Sequence, residues 1–192
     1  MGRPHAAKPV KLFTGLLSGD PDLLRRARQL LARRFGPIDC ESDTRPFDRT
    51  HYYEAEMGSD LMRRFFGFER LIRPDELAQI KLEANALEEE IAGDCLLPDI
   101  RRPVNIDPGY LDLRKLVLGT TKDRSHRIYL GHGIYAEVTL QYTSGAWQSL
   151  PWTYPDYTQP DYHTFFAQMR EQYRQQLRDH ERGLFSNDPS TP

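Results

Sequence analysis

Cysteine is nearly missing from this chain of 192 residues: Cys40 and Cys95 are the only two, they lie far apart, and neither belongs to a CxxC or zinc-ligand spacing. A disulfide framework and a cysteine-rich metal site are therefore disfavoured, and both residues read as ordinary thiols of a reducing compartment. Long apolar runs are also missing. Nothing approaches the length needed to cross a bilayer, and the opening MGRPHAAKPV has no signal-like apolar stretch. Ala6 stands where N-myristoylation wants Ser or Thr. The expectation is a cytoplasmic protein with no membrane partner. A large excess of one charge is absent too: the formal net charge is −2, so contact with nucleic acid would need a local basic patch. The six histidines form no HExxH or comparable spacing, so no metal is expected. GxSxG and dinucleotide fingerprints are absent as well. The chain specifies neither a cofactor nor an oligomeric state.

What is present is a globular balance, with 39% hydrophobic and 28% charged residues. A chain of this size buries roughly 70% of the surface its unfolded form exposes. Composition and order suggest a loose arm over residues 1–9, one α+β domain over 10–182 and a frayed polar tail over 183–192. Val10 to Leu17 is apolar and β-capable. Asp20 can then cap a helix, Pro21 suits its first position, and Leu23, Leu24, Ala27, Leu30, Leu31 and Phe35 recur at helical spacing before Gly36-Pro37 stops it. Ile38 to Thr50 reads as polar turns, His51 to Met57 alternates like a strand carrying Glu54 and Glu56 on one face, and Asp60 to Phe66 leans helical. From Pro74 the residues Leu77, Ile80, Ala84, Leu87 and Ile91 form a helical stripe, with Lys81, Glu83 and Glu88 outside it. Leu96 to Arg102 connects to a β-rich region with strands at 104–106, 116–121, 127–130 and 134–142. An aromatic, Pro-bearing loop at 147–159 precedes a last amphipathic helix carrying Tyr162, Phe165, Phe166, Met169, Tyr173 and Leu177. The expected architecture is a mixed or antiparallel sheet of five or six strands, with helices mainly on one face.

Register sharpens the late hairpin. A three-residue Gly131-His132-Gly133 turn sets Leu130 opposite Ile134, Ile128 opposite Ala136 and His126 opposite Val138, giving an apolar face. The other face then pairs Tyr129 with Tyr135 and Arg127 with Glu137.

NIDPGYL (105–111), LVLGTTKDRSHRIYLGHGIYAEVTLQY (116–142) and PWTYPDY (151–157) resemble an uncharacterised bacterial family, domain of unknown function 4416. KLFTGLLS, HYYEAEMG and LAQIKLEANALEEEI are similar to the same family, so the resemblance runs from about Pro9 to Tyr173. It implies no catalytic residue. Members are sometimes labelled GTP-binding, but this sequence has no GxxxxGK[ST] loop, and Thr120-Thr121-Lys122-Asp123 departs from the guanine-reading NKxD pattern.

Several constellations could carry chemistry, each beside a plainer structural reading. Lys122, Arg124, His126 and Arg127 gather cations at a bend that could hold a phosphate or carboxylate, with His126 moving a proton; a solvated turn whose charges discourage edge pairing is the simpler reading. Asp107 could act as a base assisted by Lys115, or its carboxylate could serve the Pro108-Gly109 turn. Glu137, inside a strand, must be paired or exposed; Arg127 is its expected partner, and a ligand-facing acid is the alternative. Trp152, Tyr154, Asp156 and Tyr157 could wall a base or sugar, or pack over a sheet end. The arginines of the first helix leave a nucleic-acid face open, against a solvated helix surface.

Together these readings name His126, Asp107 and Glu137 as candidate acid/base groups. Lys115, Lys122, Arg127, Tyr129, Tyr135, Trp152 and Asp156 are candidate ligand contacts. The expected function is binding of a small phosphorylated or nucleotide-like molecule in a cleft beside residues 104–142. The alternative is a noncatalytic adaptor that contacts protein or RNA. A concave site gathering Asp107, Lys122, Arg127 and Glu137 would favour the first, and a flat surface the second.

Overall fold

Strand β1 (Val10–Ser18) is buried at every position, because it is paired on both edges and covered on both faces. The computed structural model describes residues 2–50, 52–95 and 100–186. Helix α1 (Pro21–Phe35) follows β1, with Asp20 at its N-cap accepting from the Asp22 backbone N–H at 2.7 Å. Next come β2 (Ile38–Glu41), β3 (Arg45–Pro46), the single turn α2 (Glu54–Met57) and the long strand β4 (Met62–Ile72). Helix α3 (Leu77–Gly93) leads to β5 (Asn105–Leu111), β6 (Lys115–Thr120), β7 (Ile128–Gly131), β8 (Ile134–Thr143) and β9 (Ala146–Ser149). A 3-10 turn at Pro155–Thr158 precedes α4 (Pro160–Ser186).

Among the described residues these strands form one antiparallel sheet of nine, more than the five or six expected, in the order β2-β4-β1-β5-β6-β8-β7. β3 shares the outer edge of β4 with β2, and β9 shares that of β8 with β7. The extra strands are the short pieces β2, β3 and β9, whose polar sequences read as loops. Helices cover both faces, which corrects the one-sided expectation. On one face α1 and α3 press Leu24, Ala27, Leu31, Ile80 and Ala84 against Leu12, Leu16, Phe66 and Phe68. On the other, α4 packs Phe165, Phe166, Met169 and Tyr173 on Phe13, Phe65, Leu116 and Leu140.

Two further expectations fail for physical reasons. Residues 62–72 form a strand rather than a helix: Phe66 and Phe68 face one core and Phe65 the other, so burial on both faces blurs the period-two signal. Residues 54–57 are helical rather than extended. The Tyr53 carbonyl accepts from the Met57 N–H at 2.8 Å, and both side chains join a small core with Leu17, Phe47 and Leu61. His51, at the start of that expected strand, lies outside the described residues, as do 96–99 of the expected connector and 187–192 of the expected tail; α4 itself runs to Ser186.

The hairpin β7–β8 pairs Ile128 with Ala136 and Tyr129 with Tyr135, as register suggested. Gly131 rather than Leu130 then faces Ile134, and the ladder is irregular at Leu130. The cause is a two-residue turn, with His132 at φ 54° and Gly133 at φ 76°. The β7 side of the apolar face expected of this hairpin is not buried, since Ile128 is 71% exposed, whereas Ile134 of β8 is buried. β7 is an outermost strand, and neither core includes its side chains.

Candidate functional site

The sheet divides between β5 and β6. β5 pairs with β1 along its whole length, from Lys11–Leu111 to Leu17–Asn105, but with β6 only from Leu111 to Gly109. Pro108, with no N–H to donate, lies where that ladder stops. β6 continues instead along β8, to Thr120 opposite Tyr135. At the last shared pair the strands approach so closely that a Cβ on Gly109 would lie 2.4 Å from the Val117 carbonyl oxygen and 2.7 Å from the Phe13 ring.

Beyond the division, side chains of α3 take the place of the missing neighbour. Lys81 Nζ donates to the Ile106 carbonyl at 2.8 Å, and Glu88 Oε1 accepts from the Ile106 N–H at 2.6 Å. Both main-chain groups of Ile106 are thus satisfied without a partner in β6. The strands and α3, with Phe47, Thr50, Tyr52, Tyr53 and Glu56 and with residues 154–157, line a cavity of about 770 Å³. That size suits a small organic ligand.

The inner wall is a network of buried charge. Arg63 of β4 is 3% exposed and reaches across Gly15 of β1, where an added Cβ would lie 3.0 Å from Arg63 Nη1. Its Nη1 donates to Asp107 Oδ2 at 3.2 Å, and its Nη2 lies 3.3 Å from Asp156 Oδ2. Asn105 Nδ2 donates to the same Asp107 oxygen at 2.6 Å. Arg102 bonds both Asn105 and Glu88. These environments push two carboxyl groups apart. At Asp107 burial opposes the charge, but Lys81, Arg63 and Asn105 outweigh it and hold the group below its ordinary range. At Asp156 burial outweighs Arg63 and pushes the group up. Glu88 is likewise pushed up by burial, against Lys81 and Arg102.

A second network continues along β8. Glu137, 2% exposed, accepts on Oε2 from Arg127 Nε at 2.8 Å and lies 3.1 Å from His126 Nε2. Arg127 also donates to the Lys122 carbonyl and, at 2.6 Å, to the Tyr154 hydroxyl. Burial pushes Tyr154 up to about 12. Lys122 Nζ donates to Tyr52 Oη at 2.8 Å and lies 4.6 Å from the centre of that ring. Arg101 and Arg124 are exposed on the lining and make no ion pair among the described residues.

Of the residues named from sequence, Asp107, Lys122, Arg127, Glu137 and Asp156 all line the cavity. His126 stands behind Glu137, stacked on Trp152 at 5.0 Å, and neither ring is part of the lining. Trp152 donates its indole N–H to the Val138 carbonyl at 2.9 Å. Lys115 pairs with Asp112 at 3.4 Å and is also off the lining. Tyr129 and Tyr135 contact each other at 5.2 Å on the hairpin, outside the cavity. Glu54 and Glu56 belong to α2 rather than to a strand face. Sequence reasoning missed Arg63, Lys81, Glu88 and Arg102. A signal existed for two of them: Leu77, Lys81, Ala84, Glu88 and Ile91 form a second three-and-four stripe along α3, interleaved with the apolar one.

Among the described residues no cluster of three or more His, Cys, Asp or Glu side chains is arranged to hold a metal ion, and no helix is long and apolar enough to cross a membrane. No curated protein and no solved structure matches the chain. The profile described as a domain of unknown function (DUF4416) matches residues 8–173, and the chain belongs to that family.

Proposed function

We propose that the chain binds a small phosphorylated or nucleotide-like molecule in the cleft between β5 and β6. One observation carries this reading. Asp107 of β5, Lys122 and Arg127 of the β6–β7 connection and Glu137 of β8 line the same concavity, as a binding cleft requires and a flat adaptor surface does not. The phosphate is assigned to Lys122, Arg124 and Arg101, because Arg127 and Arg63 are committed to buried carboxylates. Glu56 and Glu89 also line the wall and reduce its positive excess, so a singly phosphorylated ligand fits better than a polyanion.

The adaptor alternative drew on exposed aromatics and on the arginines of α1. Four of them face acids: Arg25 pairs with Asp22, Arg26 with Asp94, Arg28 with Glu41 and Arg34 with Glu83. That pairing weakens a nucleic-acid face on α1.

The test is a thermal-shift and calorimetric screen of phosphate esters and nucleotides, repeated on Lys122→Ala/Arg124→Ala. A ligand that binds only the folded state raises Tm, by about 2.7 kcal/mol of stabilisation at a hundredfold excess over Kd. The double variant should weaken binding at least about tenfold, from two lost charge-assisted contacts. A screen with no shift, or a shift the double variant retains, rules the reading out.

A further inference from the structure

Resting on that reading, we infer that the inner wall of the cleft reads hydroxyl groups, so that the ligand is a sugar or polyol monophosphate rather than a simple phosphate ester. The acceptors are Asp107 Oδ1 and Asp156 Oδ2. Asp107 spends its other oxygen on Arg63 and Asn105, while Oδ1 accepts no hydrogen bond among the described residues. Lys81 Nζ lies 3.8 Å from it and donates to the Ile106 carbonyl instead. The Asp107 side chain nonetheless keeps 24% of its surface exposed and lines the cavity. Asp156, 4% exposed, lines the same wall, and its Oδ2 has no hydrogen-bond partner despite Arg63 nearby. Arg63 Nε and the Tyr157 hydroxyl are also buried without partners on this wall.

Buried polar atoms without partners are costly, and a ligand that satisfies them gains selectivity over one that does not. Charge decides which ligand group fits. A phosphate placed here would meet Asp107 and Asp156 directly. An amine would add positive charge to a wall where Arg63, Lys81 and Arg102 already match Asp107, Asp156 and Glu88. A neutral donor that can also accept, a hydroxyl, satisfies the carboxylate oxygens and Arg63 Nε without net charge. The Asp107 carboxylate fits this use, because Lys81, Arg63 and Asn105 outweigh its burial and hold it as an acceptor. The phosphate stays at the mouth with Arg101, Lys122 and Arg124.

Calorimetric titration of the full chain with ribose 5-phosphate, glucose 6-phosphate and n-propyl phosphate tests this. At least one sugar phosphate should bind tenfold or more tightly than n-propyl phosphate, and Asp107→Asn should collapse that ratio to near one. If n-propyl phosphate binds as tightly as both sugar phosphates, the inference is overturned while the phosphate reading stands. If no phosphate ester binds, the cleft reading itself has failed. Asp156→Asn provides a second variant should Asp107→Asn not fold, and a ratio it leaves at the wild-type value also overturns the inference. The wild-type comparison needs no variant at all.

Discussion

The two halves of the sheet solve the same problem differently. Along β1 the main chain is paired on both sides, to β4 and β5, and both faces are covered by apolar side chains such as Phe13, Leu16, Phe65 and Phe66. Between β5 and β6 the ladder stops after three residue pairs, and charged side chains from α3 and β4 fill the positions that backbone and hydrocarbon fill elsewhere. A buried backbone group left unsatisfied costs about 1–3 kcal/mol, so Lys81 and Glu88 together offset several kcal/mol of broken pairing at Ile106. The contrast teaches that the cleft is built, not left over. A sheet of this sequence could close only if Ile106 exchanged its α3 partners for β6.

The largest effect that would break the contrast is expected at Arg63. In the paired half, Phe166→Ala removes apolar contacts and should cost about 3–5 kcal/mol by chemical denaturation, with no simple second-site rescue. Arg63→Met should cost a similar ~3–5 kcal/mol, because Asp156 loses its cation while buried and Asp107 loses one of its partners. Here the loss is electrostatic, so Arg63→Met/Asp107→Asn/Asp156→Asn should recover most of it. A triple variant as unstable as Arg63→Met would show that Arg63 acts by packing on Phe47 and Phe65, over which its guanidinium lies at 5.1 and 5.8 Å.

A smaller effect should mark the point of division. Gly109→Ala places a methyl against the Val117 carbonyl and the Phe13 ring, both too close for it, and should cost ~1–3 kcal/mol or more of equilibrium stability. Lys81→Met keeps the length of the side chain and removes the donor to Ile106 together with the charge beside Asp107, for about 1–3 kcal/mol. Hydrogen exchange should distinguish the two: Gly109→Ala loosens amides of both β5 and β6, whereas Lys81→Met acts on β5. Matching exchange patterns would mean that α3 supports the whole sheet and not the free half of β5.

The paired half was largely legible in the sequence, and the cleft only in part. β1, α1, α3 and α4 announce themselves through caps and a single apolar stripe, and the stripe named for α4 is the one buried, Tyr162 to Leu177. β4 was misread because strands buried on both faces lose the period-two signal that Phe65, Phe66 and Phe68 would otherwise carry. Helices were expected on one face because nothing local says which face α4 will choose; that follows from β1 placing Phe13 and Leu12 on opposite sides. Asp107, Lys122, Arg127, Glu137 and Asp156 stood out as polar residues beside turns or inside strands. Arg63 and Lys81 did not. A buried cation is visible as such only once its carboxylate is beside it, and Asp107 is 44 residues from Arg63 in the chain.

The finest distinction between the halves is their response to pH, since the paired half buries mainly apolar groups and the cleft buries Asp107, Asp156 and Glu88. Asp107 sits below its ordinary 3.8, so its contribution to stability is present above that pH and is lost as pH falls through the lowered value. Asp156 has the opposite sign: raised above 3.8 by burial, it contributes fully below 3.8, and that contribution is lost as pH rises through the raised value. Glu88 behaves like Asp156, starting from 4.5. Melting temperature followed against pH should therefore show two separable limbs. Asp107→Asn should flatten the acid limb, and Asp156→Asn should flatten the decline on the other side of 3.8, each variant keeping the limb that the other loses. Profiles for both variants that run parallel to wild type would mean that these carboxyl groups titrate alike in the folded and unfolded chain, and that the cleft holds its charges no differently from a solvated surface.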